Sequence, residues 1–496
     1  MCSQKITNEN QQIRVRIAPS PTGPLHIGTA RTALFNYLFA KKFNGAFVLR
    51  IEDTDIERSK PEWEKEIIEG FLWLGIQWDE GPDKGGPHGP YRQSERQEIY
   101  KQYIEKLLQE QKAYWCFCTK EEIEAYKQER LSRGQSPIFH CLCSELSPKQ
   151  IEEKRAKNPQ AVIRFKMPYR SVAFEDLLRG KIVYDSSLFE DMVIAKNLQE
   201  PLYNLACVID DYAMKITHVI RGEDHISNTP RQILLAEALG WQPPAFLHLP
   251  LILGPDRAKL SKRHKVTTSI TQYKQQGYLP EALINFIALL GWNPGDNREI
   301  FSLKELIENF SVQKIQKSGA VFNQQKLDWF NGYFIRKKSL SEITKLCIPY
   351  LQQAGFVGSG GEEQTKKIEP MIALYQERLK KIAEIPELID FFFLEKLDYP
   401  KELLLWDKMT EKDTMAILDK LYDLLLNINE PEWTEQSLRQ LIMTQANQLT
   451  DRGMLLWPLR AALSGKKASA GPIEIASVLG KAKTLERIKQ AMEKLS

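Results

Sequence analysis

The sequence predicts an α/β protein. A Rossmann-like parallel sheet is interrupted by an α+β insertion and followed by an all-helical C-terminal region. Three observations predict it. Short apolar strands alternate with helix-length periodic segments before about residue 100 and again after about residue 210. The strands between those limits do not alternate with long helices. Beyond Tyr278 nearly every segment has helical spacing.

Residues 1–12 are polar, lack the apolar core of a secretory signal, and read as a disordered extension. Residues 13–18 read as a strand, 27–43 as a helix ended by Gly45, and 46–51 as a second strand closed by "EDTD". That is a βαβ unit with parallel strands and a right-handed crossover. Helices are expected over 61–75 and 97–111, with a Gly/Pro-rich loop over 81–90. The polar segment 120–133 reads as helix, and 161–167, 181–184 and 192–196 as strands of the insertion. Alternation resumes with a strand over 216–221, a helix over 229–239 and a strand over 246–253. Helices follow over 279–290, 303–310 and 324–334, and Gly358–Gly361 gives the best linker signal in this half. The domain reading is an extension over 1–12, a catalytic fold in two halves, 13–100 and 211–255, and an insert over 101–210. A loop and helical connection over 256–340 and a helical region over 341–496 complete it.

A chain of 496 residues has room for about three domains. No run reaches the ~18 apolar residues of a membrane helix, so a cytoplasmic protein is expected. The net charge of +4 is too small to identify a nucleic-acid binder. From Asn331 onward, 24 Lys/Arg face 23 Asp/Glu, so composition does not mark this region as RNA-binding either. The odd count of seven cysteines argues against a disulfide framework.

The loop after the first strand and the acidic cluster after the second belong at the carboxyl edge of the sheet, where ligands of open α/β sheets bind. The helix from Ile27 points its amino end there, a place for phosphate. His26 can donate to a phosphate oxygen, and Gly28 lets a nucleotide approach the backbone. Alone, the pair reads more readily as a capping histidine and a turn glycine. The run "GPDRAKLSKRH" after the later strand places Lys259, Lys262 and Arg263 on a loop at the same edge. A lysine there suits charge growing on a leaving pyrophosphate.

Four stretches, "PSPTGPLHIGTART", "RIEDTD", "YNLACVIDDYAMKITHVIRGEDHISNTPRQ" and "KLSKR", together resemble the bacterial-type glutamyl-tRNA synthetases, class I aminoacyl-tRNA synthetases. The resemblance runs in order from about Arg14 to Arg336. The HIGH-type element appears as His26-Ile27-Gly28-Thr29 and the KMSKS-type element as Lys259-Leu260-Ser261-Lys262-Arg263. It implies ATP and Mg²⁺ at these two elements, with His26, Gly28, Lys259 and Lys262 catalytic and Thr29 and Ser261 in the ATP site. It implies a glutamate pocket of Arg16, Ala18, Ser20, Glu52, Tyr203 and Arg221. The chemistry agrees: two carboxylates and an ammonium call for two cations and one anion, and arginine forks suit carboxylates. Arg221 is the candidate for the side-chain carboxylate, though Arg16 is the alternative. Cys207, four residues after Tyr203, reads as a buried wall.

The resemblance also implies tRNA(Glu), L-glutamate and ATP as partners, an acceptor-stem-binding insert, an anticodon-binding helical region and a monomer. It leaves open whether tRNA(Gln) is charged as well. A glutaminyl enzyme would open with a "PPEPNG"-like loop rather than "APSPTG". A short tRNA-modifying paralogue would lack the C-terminal helices, and a non-catalytic RNA-binding relative would be expected to lose His26 or Lys262.

Cys116, Cys118, Cys141 and Cys143 form two C-x-C pairs 22 residues apart, candidate ligands for a structural zinc. Some relatives hold zinc in this insert. The residue two after Cys143 is Glu145 rather than histidine, and His140 is an alternative to Cys141. Four reduced cysteines without a metal is the plainer reading, because C-x-C is less diagnostic than C-x-x-C.

Overall fold

The computed structural model describes residues 12–158, 160–261, 263, 267–358 and 361–496. The extension read over 1–12, apart from Gln12, lies outside the described residues, and so does Lys262. The chain divides into two compact units. One takes the described residues to Lys274 with Pro280–Lys326, the other Gln275–Leu279 with Leu327–Ser496.

The first unit opens with strand β1 (Arg14–Ile17), helix α1 (Ile27–Lys42) and strand β2 (Ala46–Leu49). The two strands pair in parallel, Arg14 opposite Ala46 through Ile17 opposite Leu49. Helix α1 is buried on most sides, with Lys41 and Lys42 in its last turn facing the negative end of its dipole. Gly45 is required where the chain turns into β2: a Cβ there would sit 2.5 Å from the Ile13 carbonyl oxygen.

Helices α2 (Pro61–Trp73) and α3 (Gln97–Gln109) lead to strand β3 (Ala113–Cys116), helices α4 (Lys120–Ser132) and α5 (Pro148–Lys157), and strands β4 (Val162–Phe165), β5 (Ser171–Asp176), β6 (Gly180–Asp185) and β7 (Val193–Ala195). Proline opens α2 and α5, where the missing N–H has no intrahelical partner to lose. Helix α6 (Tyr203–Ala213), strand β8 (His218–Gly222), helix α7 (Thr229–Ala238) and strands β9 (Ala245–Leu249) and β10 (Ile252–Leu253) follow. The strands between residues 101 and 210 serve two sheets. β3, β4 and β7 form an antiparallel sheet of their own. The β5–β6 hairpin instead extends the α/β sheet, because β5 pairs in parallel with β9 at Asp176 opposite Phe246. The resulting order is β6-β5-β9-β8. β1 meets β8 through Thr217, whose N–H donates to Arg14 O at 2.9 Å and whose Oγ1 accepts from Arg14 N at 2.9 Å. Asn36 of α1 donates to Ile220 O at 3.0 Å and ties the helix onto β8.

One expectation is corrected. Residues 246–253 are not a single strand: β9 stops at Leu249, and Pro250, with no N–H for a ladder, breaks the run. β10 then pairs in parallel with β11 (Ala320–Val321). Helices α8 (Ile270–Gln275), α9 (Pro280–Leu289), α10 (Leu303–Asn309) and α11 (Gln324–Lys337) account for most of the remainder.

The second unit continues with α12 (Leu340–Gln353), α13 (Glu362–Ala373), α14 (Ile385–Ile389), α15 (Glu411–Leu426), α16 (Glu435–Ala446), α17 (Gly453–Ser464), α18 (Pro472–Leu479) and α19 (Lys481–Leu495). Leu418, Leu421, Ile442, Leu459 and Ile488 are buried at helical spacing along α15–α19. The Gly358–Gly361 signal falls between α12 and α13, inside this unit, and its residues 359 and 360 lie outside the described residues. Among the described residues no helix is long and apolar enough to cross a membrane.

Candidate active site

A cavity of about 690 Å³ opens at the carboxyl ends of β1 and β8. Arg16, Ala18, Ser20, His26, Gly28, Thr29, Glu52, Tyr203, Arg221 and Lys259 all line it, although they come from six separate stretches of sequence. Ser261 does not line it, and Lys262 lies outside the described residues. Four cationic side chains (Arg16, Arg31, Arg221, Lys259) and two carboxylates (Glu52, Asp224) face this space, so its balance is positive. A cavity of that sign favours anionic ligands.

Its floor rests on a buried ionic network. Arg16 Nε donates to Asp211 Oδ1 at 3.1 Å and its Nη2 to Asp211 Oδ2 at 3.4 Å. Arg50 Nη1 donates to the same Oδ1 at 2.7 Å, and Arg50 Nη2 to Glu52 Oε1 at 3.1 Å. Arg96 Nε donates to Asp210 Oδ1 at 2.6 Å, and Gln93 and Tyr100 also donate to Asp210. Three arginines thus meet three carboxylates. Burial opposes ionisation of Asp211, but Arg16 and Arg50 outweigh it and hold the carboxyl at about 2. Glu52 moves the other way: burial pushes its pKa up against the pull of Arg50 and Arg16. Cys207 is buried beneath the cavity without lining it, and burial pushes its thiol up to about 12.

Arg221 stands outside that network. Its Nε donates to His248 Nε2 at 3.2 Å and its Nη2 to Thr229 Oγ1 at 2.8 Å. Its Nη1 is buried and has no acceptor among the described residues. Leaving a charged donor so costs more than the ~1–3 kcal/mol of a neutral one, so the position suits an incoming anion. Tyr203, the first residue of α6, hydrogen-bonds His225 Nδ1 at 3.1 Å. Burial, and then the nearby Arg221, lower the His225 pKa to about 4, so this ring is neutral at neutral pH.

The other part of the cavity is built on α1. His26 caps the helix, its Nδ1 accepting from Gly28 N at 3.1 Å. That acceptor role puts the proton of the neutral ring on Nε2, the donor the sequence reading calls for. A Cβ at Gly28 would meet only His26 Nδ1, at 3.4 Å, so the surrounding fold does not itself demand glycine. The lysine loop folds back on β10: Leu260 N donates to Ile252 O at 2.9 Å and buries the leucine. Lys259, its side chain 61 % exposed, reaches Asp224 Oδ2 at 2.8 Å.

The four cysteines of the two C-x-C pairs come together, with all four Sγ atoms within 4.8 Å of one another. Cys116–Cys141, Cys118–Cys141 and Cys118–Cys143 are 3.4, 3.7 and 3.8 Å apart. A tetrahedron with Zn–S bonds of ~2.3 Å has edges of about 3.8 Å. His140 is exposed, hydrogen-bonds Tyr169 at 3.2 Å, and is not in the cluster.

Arg50, Asp210, Asp211, Asp224 and His225 escape the sequence reading. The signal for Arg50 was a charge directly after the apolar run of β2, and for Asp210–Asp211 a carboxylate pair inside an otherwise apolar helix.

The chain belongs to the class I tRNA synthetases of the glutamate and glutamine group. The catalytic-domain model of tRNA synthetases class I (E and Q) matches residues 12–329, and an anticodon binding domain model matches 342–492. The chain is 45% identical over 479 residues to the glutamate–tRNA ligase of Carboxydothermus hydrogenoformans, covering 96% of this chain and 99% of that one. A crystal structure of a glutamate tRNA ligase from Elizabethkingia meningosepticum, in complex with its amino acid, superposes with a TM-score of 0.85 at 36% identity. It covers 98% of this chain and 100% of that one. The glutamate-tRNA synthetase of Elizabethkingia anophelis gives 0.83 at 35%, covering 97% and 100%.

Proposed function

We propose that the chain is a glutamate–tRNA ligase, which activates L-glutamate with ATP and transfers it to the terminal adenosine of tRNA(Glu). The observation that carries this reading is Arg221, which lines a cavity with Glu52 and Tyr203 and whose buried Nη1 has no acceptor among the described residues. Arg221 takes the side-chain carboxylate of glutamate. Arg16, its charge shared with Asp211, takes the weaker share of carboxylate binding, Glu52 the ammonium, and Tyr203 and Ser20 supply hydroxyls beside Ala18. His26 and Thr29, with the open backbone at Gly28, receive ATP, and Lys259, Ser261 and Lys262 belong to the loop that meets the leaving pyrophosphate.

In the first step an α-carboxylate oxygen of glutamate attacks the α-phosphorus, the bond to the β-phosphate oxygen breaks, and pyrophosphate leaves. In the second, the 2′-hydroxyl oxygen attacks the adenylate carbonyl and AMP leaves. The chain supplies positioning and charge rather than a covalent intermediate. Mg²⁺ binds through one or two carboxylates plus substrate phosphates. Asp224, the cavity carboxylate beside Lys259, fits that role, and the ion would neutralise phosphate charge. Zinc, held by Cys116, Cys118, Cys141 and Cys143, would cross-link the insert over 101–210, which receives the acceptor stem. Segment 341–496 reads the anticodon, and the enzyme works as a monomer in the cytoplasm.

ATP–pyrophosphate exchange dependent on glutamate and tRNA is the test, followed by charging of purified tRNA(Glu) and tRNA(Gln), which separates a discriminating from a non-discriminating enzyme. Arg221→Gln should raise the glutamate KM steeply and narrow the preference for glutamate over glutamine. An unchanged preference moves the side-chain role to Arg16.

A further inference from the structure

Arg221 is held by a chain of buried groups that reaches away from the cavity. His248 Nε2 accepts its Nε–H at 3.2 Å, and Thr229 Oγ1 lies 3.0 Å from the same nitrogen. An imidazole nitrogen accepts only when the ring proton sits on the other nitrogen. His248 Nδ1 lies 2.7 Å from Asp176 Oδ2, and both side chains are fully buried. A carboxylate only accepts, so the proton is on Nδ1 and the Nε2 lone pair faces Arg221. Asp176 is itself fixed. Its Oδ1 accepts from the N–H groups of Leu178 at 3.0 Å and Arg179 at 2.8 Å, and its Oδ2 also accepts from His248 N at 3.0 Å.

We propose that Asp176 and His248 are positioning residues for the glutamate pocket. By fixing the imidazole tautomer they clamp the Arg221 guanidinium at Nε and hold it in the wall of the cavity, where it meets the substrate carboxylate. With the other tautomer, two N–H donors would oppose each other and the guanidinium would rotate off its line. The inference rests on Arg221 as a glutamate ligand, and the experiment keeps the two apart.

The full-length protein carrying His248→Asn, His248→Gln, Asp176→Asn or Arg221→Gln is compared in tRNA-dependent pyrophosphate exchange. Asparagine keeps a donor toward Asp176 but loses the acceptor that faces Arg221. Glutamine returns an oxygen acceptor to about the place of Nε2. His248→Asn and Asp176→Asn should raise the glutamate KM by about ten-fold or more, the loss of one hydrogen bond to a charged group, while the ATP KM moves by less than about two-fold. His248→Gln should bring the glutamate KM back to within about three-fold of wild type. If Arg221→Gln raises the glutamate KM but His248→Asn does not, or if His248→Gln is as damaging as His248→Asn, the positioning role is wrong. If Arg221→Gln leaves the KM unchanged, the reading of Arg221 itself fails. A second measurement needs no variant. Histidine ¹⁵N shifts of the wild-type protein should show His248 neutral with its proton on Nδ1, and a proton on Nε2 overturns the proposal.

Discussion

Arg16 and Asp211 form a two-contact ion pair, Nε to Oδ1 at 3.1 Å and Nη2 to Oδ2 at 3.4 Å, with both side chains almost wholly buried. Asp211 also takes Arg50, so one carboxylate serves two buried cations. Breaking a buried pair from one side costs about 3–5 kcal/mol, because a charge is left uncompensated. Asp211→Asn should lose at least that much in denaturant unfolding. The effect should depend on pH. The folded carboxyl titrates near 2 against an ordinary 3.8, so its stabilisation, on the order of 2 kcal/mol, is complete above about pH 4 and fades as the pH falls toward 2. Glu52 and Asp210 are pushed up by burial and work in the opposite sense, so the quantity to follow is the wild-type minus variant difference. A difference that stays constant through that window would contradict the assignment.

Gly28→Ala separates folding from ligand approach. The added Cβ meets only His26 Nδ1, at 3.4 Å. Alanine is the better helix former, so stability should hold or rise by up to ~1 kcal/mol. A methyl group at the helix amino end should still displace the nucleotide, with exchange falling by about ten-fold or more and ATP KM rising. Wild-type exchange in the alanine variant would remove Gly28 from the ATP site.

Lys259→Ala should leave the melting temperature nearly unmoved, because its pair with Asp224 is exposed and worth about 0–1 kcal/mol. Adenylate formation should fall by about 10²–10³, as expected for a cation that meets developing charge, with glutamate KM little changed. Lys262→Ala should behave in the same way. Exchange rates within a few-fold of wild type would end that role for either lysine.

Protein purified without chelator should contain about one zinc per chain. Cys116→Ser should lose it, lower the stability of the segment around β3, β4 and β7, and weaken tRNA charging more than ATP binding. Metal-free protein that charges tRNA at the full rate would exclude a structural zinc.

The two nucleotide elements of the cavity were legible because they follow strands or open a helix at one sheet edge, whereas Arg16, Ala18, Ser20, Tyr203 and Arg221 were reached through the family resemblance. Arg16 and Arg221 are each the penultimate residue of a strand, and His26 and Gly28 sit at a helix start. The partners of those residues were not legible. Asp211 meets Arg50 across 161 positions, and His248 meets Asp176 across 72, and no local pattern encodes such a meeting. The break after β9 was visible as Pro250, yet the apolar run on both sides of it read as one strand. The insertion looked self-contained because strand periodicity says nothing of which sheet a strand joins, and β5 joins β9.

Beneath the cavity Arg16, Arg50 and Arg96 are matched by Glu52, Asp210 and Asp211, while Arg221 has no carboxylate partner among the described residues. The resting pocket, which Arg31 and the Lys259–Asp224 pair also line, is therefore left with surplus positive charge. Glutamate, with a net charge of −1, reduces that surplus on arrival, whereas neutral glutamine leaves it unchanged. The amino acid would then behave as a missing counter-ion of the protein interior. How long each molecule survives heat or proteolysis would rise and fall with the glutamate supply around it, independently of any turnover.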